Sequence, residues 1–220
     1  MKRSQVNAII EQASSLFAMR GIALPPFSNW SCSEWQRRGS TTLPMIRSRL
    51  GWDVVEWESG RFATDGLVLF TLRNKRTEDT TGYAEKVMLI RRGQHTPLHT
   101  HRTKTEDIIN RGGGELVVTL GPLPEGASKI DLCVNGMARA LSSGAALRLS
   151  PGESVTLEPG VFHAFHAEED DVIGGEVSTF NDDTCDNLFL RETARFPTIE
   201  EDEPPRWLLV NDYDSRLGWV

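Results

Sequence analysis

Gly93-Gln94-His95-Thr96-Pro97-Leu98-His99-Thr100-His101-Arg102-Thr103-Lys104-Thr105-Glu106, continuing through Asp107 to Gly113, is the stretch that decides how this chain folds. In an extended strand residues i and i+2 face the same side, so His99 and His101 point together and Glu106 can return past a turn to meet them. Two imidazoles and a carboxylate then converge. The chain has only five histidines, and the remaining two, His163 and His166, lie in a second strand-like cluster. His163 follows Pro159-Gly160 in a hairpin-like segment and can supply a third imidazole from a neighbouring strand. His166, three residues on, faces the other side of a regular strand, so His163 is the preferred ligand. Three nitrogens and one oxygen suit Mn, Fe, Co, Ni or Zn, with geometry rather than affinity selecting among them.

Outward from this segment run short β-prone stretches: Val54-Val55, Gly66 to Leu72, Tyr83 to Ile90, Glu115 to Leu120, Ile130 to Val134, Ala146 to Leu149, Ser154 to Leu157, Val161 to Phe165 and Val172 to Phe180. Gly, Asn and Asp turns divide them, a pattern that predicts a sandwich or barrel. Asn110-Arg111-Gly112-Gly113-Gly114 has no following Lys-Ser or Lys-Thr and leads into a strand, so it reads as a tight barrel turn and not a phosphate loop. Upstream, Val6, Ile9, Ile10, Ala13, Leu16 and Phe17 recur at helical spacing, with Ser4 placed to cap the start and Gly21 the end. Leu24-Pro25-Pro26-Phe27 breaks that helix, and Ser31 to Arg38 suits a second, with Trp30 and Trp35 as packing anchors. Downstream, Glu200-Glu201-Asp202-Glu203-Pro204-Pro205 precedes Trp207-Leu208-Leu209-Val210, a tail that leaves the barrel and packs back on it. The expected organisation is one domain, with a helical extension over 1–50, a β-barrel over 51–190 and the tail over 191–220.

A composition of 39% hydrophobic and 25% charged residues, with 19 Gly and 11 Pro, suits a globular protein rich in turns. The net charge of -7 argues against nucleic acid, whose binding rests on Lys and Arg neutralising phosphates. A small neutral substrate is easier to reconcile. No stretch approaches the roughly 20 apolar residues of a membrane span, and no signal-peptide core follows Lys2 and Arg3, so a cytoplasmic location is expected. Cys32, Cys133 and Cys185 are far apart and odd in number, which indicates buried or half-buried thiols rather than a disulfide framework.

An isolated His-x-His would be read as surface or core histidines with hydrogen-bonding duties. Here Gly93, five residues, His99-x-His101, four residues, Glu106, six residues and Gly113 resemble the first cupin motif at every fixed position. Gly152, Gly160 and His163 match the second, although the proline is Pro159 rather than the residue before it and Ala167 replaces the closing Asn. The fold implied is a cupin-type β-barrel, a jelly-roll-like double-stranded β-helix, with an N-terminal α-helical extension. Within that class the chain resembles the D-lyxose ketol-isomerases at Met1-Lys2-Arg3-Ser4, Leu24-Pro25-Pro26-Phe27, Leu50-Gly51-Trp52-Asp53, Phe70-Thr71-Leu72-Arg73-Asn74, Tyr83-Ala84-Glu85-Lys86, Glu106 to Gly114, and Gly175-Glu176-Val177-Ser178 with Asn181-Asp182-Asp183. Arg102 and His166 stand where that family has aromatic residues, near the mouth of the pocket. The resemblance implies a metal-dependent aldose-ketose isomerase acting on D-lyxose and D-xylulose, extending to D-mannose and D-fructose, with Mn2+ as the favoured ion.

Such a reaction moves a proton between C1 and C2, through a cis-enediol, and needs a positioned acid-base group. Glu176 is the preferred carrier, because Val172 to Phe180 reads as a barrel strand and the resemblance includes its neighbours. Lys86 qualifies independently: both faces of Tyr83 to Ile90 look buried, so a charge must point inward, where it can polarise a substrate oxygen or exchange protons, or else pair with a carboxylate. Lys104, between His101 and Glu106, can reach substrate from a turn. Asp182, like Asp183, can orient sugar hydroxyls, and a tail folded over the pocket can deliver Glu200 or Glu201. The substrate expected is an unphosphorylated pentose or hexose. Exposed barrel edges point to a homodimer. The competing readings are a cupin dioxygenase, which the same ligand set would also suit, and a sugar-binding cupin without turnover.

Overall fold

The structure, a computed structural model, describes residues 1–75, 82–179, 182 and 185–218. Helix α1 (Arg3–Met19) is followed by the short helices α2 (Cys32–Arg38) and α3 (Leu43–Arg47). Strands β1 (Gly51–Val55), β2 (Leu67–Arg73), β3 (Ala84–Ile90), β4 (His99–His101), β5 (Glu106–Gly113), β6 (Leu116–Leu120), β7 (Ile130–Val134) and β8 (Met137–Leu141) come next. Then come β9 (Ala146–Leu149), β10 (Ser154–Leu157), β11 (His163–Ala167), β12 (Val172–Ser178) and β13 (Asn187–Phe189), and α4 (Tyr213–Arg216) lies in the tail. They form an eight-stranded sheet of order β1-β2-β3-β12-β5-β10-β7-β8 and a five-stranded sheet of order β13-β4-β11-β6-β9. All named pairings are antiparallel, and the arrangement is the cupin-type jelly roll expected, with two facing sheets in place of a closed barrel.

Between the sheets lies one core, in which Leu69, Met88, Ile90 and Ile108 meet Val118, Leu120, Leu147 and Phe165. A second core forms on the outer side of the larger sheet, where Val6, Ile10, Ala13 and Phe17 of α1 cover Trp52, Val54, Val68, Phe70, Val87 and Leu89. Strand β3 is therefore buried on both faces, which explains its apolar run from Val87 to Ile90 and turns Lys86 inward, where it is buried. Each large side chain of the α1 stripe contributes about 1.5–3 kcal/mol by leaving water. Trp35, Leu208, Val210 and Tyr213 build a third cluster that fastens the tail to α2.

Several local expectations need correction. Lys2, not Ser4, sits at the N-cap of α1, with its backbone N–H donating to Gln5 Oε1 at 2.8 Å. Ser4 instead spends its hydroxyl and its N–H on Asp202, at 2.7 and 2.9 Å. Gly21, at φ 74, closes the helix as expected, and Ile22 N–H reaches back to Phe17 O. The run through Asn110 to Gly113 is strand rather than turn. Gly113 is required there because a Cβ would lie 2.1 Å from Asp171 O. Cys133 and Cys185 are exposed, Cys133 on the outward face of β7 opposite Ala138; only Cys32 is half-buried. Among the described residues no helix is long and apolar enough to cross a membrane.

The ends of the chain are joined by buried charge. The Arg3 guanidinium makes two forked pairs, to Asp212 at 2.8 and 2.9 Å and to Glu201 at 2.7 and 3.1 Å. Asp212 also accepts Leu209 N–H, and Arg216 closes on Glu201 at 2.7 Å.

Candidate metal centre

The smaller sheet supplies three imidazoles. His99 and His101 share β4, and His163, the first residue of β11, lies directly opposite His99 in the antiparallel register. Their rings approach to 4.4 Å between His99 and His163 and 5.3 Å between His99 and His101. Glu106 enters from the larger sheet as the first residue of β5. One ligand atom from each of the four lies within 4.8 Å of all the others. The sequence-derived metal group is thus brought together across the two sheets.

The donor chemistry fits a divalent ion. His99 Nδ1 donates to Pro97 O at 2.9 Å and His163 Nδ1 to Val161 O at 3.0 Å, which leaves both Nε2 lone pairs facing inward. Burial, with His163 and His101 as neighbours, holds the His99 imidazole well below its ordinary pKa, in the neutral form a metal takes. His163 Nε2 is buried 2.9 Å from Glu106 Oε1 but out of line for a hydrogen bond. A buried ring nitrogen with no hydrogen-bond partner is costly unless something else occupies its lone pair. On the far side of the His101 ring, Nδ1 stands 3.4 Å from the buried carboxylate of Asp186.

Beside this group lies a chain of alternating charge. Lys104 Nζ bridges Glu106 Oε2 at 2.7 Å and Glu176 Oε1 at 3.0 Å, and Lys86 Nζ stands 3.3 Å from Glu176 Oε2. Ser178 donates to Glu176 Oε1 at 3.0 Å. Glu176 on β12 is the direct register partner of Lys86 on β3 and of Ile108 on β5, so pairing brings the carboxylate against Lys86, and the turn before β5 adds Lys104. Burial opposes ionisation of Glu106, but Lys104 and then His101 outweigh it and hold its carboxyl well below the usual range.

Lys86, Lys104 and Glu176 line one pocket with His99, His101 and Glu106. Trp57, Leu69, Met88, Phe165 and Phe189 form its apolar walls, and Asn187 and Arg195 reach it from the segment after β12. Asp186, Asn187, Arg195 and Trp57 were missed in the sequence because no local pattern marks them. Asp53, buried on β1, stands 3.5 Å from Arg195 and was a faint signal, an acid inside an apolar strand.

Other expected site residues lie elsewhere. Asp182 does not line the pocket and accepts from Cys185 Sγ at 3.1 Å; Asn181 and Asp183 fall outside the described residues. Glu200 pairs its backbone with Met1 and Arg3 and borders a surface groove beside α1, so the tail carries it away from the metal group. Glu201 is held by Arg3. His166 faces away from His163 on β11 and stacks on His95 at 4.6 Å, and Arg102 is exposed with its Nε donating to Cys185 O.

A family model described as D-lyxose isomerase matches residues 1–213. A D-lyxose/D-mannose isomerase of Serratia proteamaculans is 44% identical, over 97% of this chain and 98% of that protein. One from Escherichia coli is 43% identical over the same shares. Among solved structures, L-ribose isomerase of Cellulomonas parahominis aligns with a TM-score of 0.61 at 17% identity, covering 91% of this chain and 98% of that one. The enzyme of that name from Acinetobacter sp. DL28, in complex with L-ribose, gives 0.62 at 14% identity. Likeness at those identities shows a shared fold.

Proposed function

The chain belongs to the D-lyxose isomerase family, and from that premise we propose that it interconverts D-lyxose with D-xylulose, and D-mannose with D-fructose, through a cis-enediol. His99, His101, Glu106 and His163 would hold one divalent ion, Mn2+ in this reading. When bound, it supplies Lewis-acid stabilisation of charge on O1 and O2 of the open-chain sugar.

The observation that carries the reading is the buried Glu176 carboxylate, in the same pocket as His99, His101 and Glu106 and fixed between two ammonium groups. Glu176 takes the proton from C2 of the aldose and returns it to C1, while the O2 hydroxyl proton passes to O1, so that C2 becomes the carbonyl and C1 the alcohol with no net gain or loss of protons. Lys86 and Ser178 orient that carboxylate. Lys104, between Glu106 and Glu176, offsets the negative charge that develops as the C–H bond breaks. The apolar walls of Trp57, Phe165 and Phe189 keep bulk water from the enediol. Among the described residues Arg195 is the one arginine lining the pocket, and Lys86 and Lys104 are paired with carboxylates, which supports an unphosphorylated pentose or hexose as substrate. Asp182 and Glu200, away from the pocket, take no part.

We read the enzyme further as a cytoplasmic homodimer. The edge strand β8 of the larger sheet, exposed over Met137 to Ala140, supports the dimer, since such an edge calls for cover.

Metal-stripped protein assayed for D-lyxose to D-xylulose conversion, with and without Mn2+ and beside His99→Ala, tests the whole. Conversion that needs metal and is lost in the variant is expected. No conversion at full metal occupancy would overturn the reaction and leave only the metal site.

A further inference from the structure

Trp57 lies just beyond β1 and lines the pocket that holds Glu176, His99, His101 and Glu106. Its side chain is 8% exposed, and its indole Nε1–H is buried with no acceptor among the described residues. Trp52, five residues earlier on β1 and equally enclosed, shows the ordinary arrangement, its Nε1–H donating to Ser28 O at 2.9 Å. A buried donor without an acceptor costs about 1–3 kcal/mol. The backbone at Trp57 adds to that cost, because φ is 47 there and 53 at Glu58, a left-handed conformation rare for a bulky side chain. Two unfavourable features at one residue persist where the surroundings hold them, and Thr193 does so, its hydroxyl donating to Trp57 O at 2.7 Å.

We propose that the Trp57 indole N–H is a specificity donor that binds a distal hydroxyl oxygen of the sugar, O4 or O5. This rests on the sugar-isomerase reading above. A neutral polyol is the ligand chemistry the donor suits: it brings acceptor oxygens but no charge, and it meets an aromatic face suited to the C–H side of the sugar. In that reading a bound ion would take O1 and O2 and Glu176 works at C1 and C2, while Leu69, Met88 and Phe189 carry no hydrogen-bonding side-chain group. Thr96, Asn187 and Arg195 also line the pocket but already have partners in the protein, whereas the indole N–H has none and is the donor left for the distal end of the sugar. Trp57 and Thr96 also border an outer surface pocket that contains His95 and Arg191, so Trp57 stands between the site and the surface.

Trp57→Phe removes the N–H and keeps an aromatic ring in the same backbone conformation. With D-lyxose we expect kcat/KM to fall about 3- to 10-fold, the value of one such hydrogen bond, mostly through KM. Tm and metal stoichiometry should match the wild type. With a deoxy analogue lacking the O4 or the O5 hydroxyl, one of the two should show no difference between the proteins, since the partner oxygen is gone. Wild-type kcat/KM in the variant overturns the inference, as does an equal loss on D-lyxose and on both analogues, which marks a packing role. Wild-type protein that turns over no aldose overturns the assigned reaction and this inference with it, an outcome distinct from the first two.

Discussion

Two places in this molecule bury charge, and they are built in opposite ways. Around Arg3 each guanidinium nitrogen is matched by a carboxylate oxygen of Glu201 or Asp212, and the spare lone pair of Asp212 takes Leu209 N–H. Nothing there is left to bind. Around Glu106 the side chains come as close, yet His163 Nε2 is buried without a hydrogen bond and the His99 imidazole is held neutral. Closed ion clusters hold segments together, whereas a cluster with unused donors is arranged for a species still to come.

The sharpest break between the two would come from His163→Ala. Loss of bound metal is expected, and with it a fall in kcat/KM of at least about a thousandfold, since Lewis-acid stabilisation is worth several kcal/mol; metal analysis beside kinetics reads both. Glu176→Gln should lower kcat by about 10^2- to 10^3-fold at unchanged metal stoichiometry, separating proton transfer from metal binding within the same pocket. Arg3→Met should reverse the pattern. It leaves Asp212 buried and unpaired, at a cost of about 3–5 kcal/mol, and the thermal midpoint should drop by about 10 °C while folded enzyme keeps its kcat.

The smallest effect expected is on acid stability. The Arg3 hydrogen bond, against the opposing effect of burial, lowers the Glu201 carboxyl, and the Ser4 hydroxyl lowers that of Asp202. Depressed carboxylates contribute stability above their unfolded pKa of about 4, and that stability is lost as pH falls through the folded values. Thermal midpoints measured from pH 6 to 3 should therefore decline less steeply in Arg3→Met than in the wild type. Parallel curves would show that the tail carboxylates owe little to Arg3.

The metal group was legible in the sequence because its geometry is local. Strand alternation aligns His99 with His101, one turn returns Glu106, and Pro159-Gly160 places His163. Lys86 was legible for a related reason, as a charge in a strand apolar on both faces. Glu176 needed register: only the pairing of β12 between β3 and β5 brings it against Lys86 and Lys104. Trp57 and Arg195 reach the pocket, and Asp186 reaches His101 behind it, from irregular chain where no periodicity applies. Glu200 misled because a tail that packs back on the barrel looks able to carry its acidic run over the pocket, and nothing local in that run says that Glu201 and Asp212 meet Arg3 across the molecule.

The four ligands come from both sheets and exist as a group only while the sheets face each other. The affinity for an ion held there would therefore also be folding free energy. A species bound by the native state alone adds RT ln(1 + [L]/Kd), about 2.7 kcal/mol at a hundredfold excess over Kd, and each further tenfold adds about 1.4 kcal/mol. Unfolding and proteolysis draw on the same equilibrium, so with an ion bound as proposed the lifetime of the protein would rise and fall with free metal. A cell short of the ion would then lose the polypeptide as well as the proposed activity.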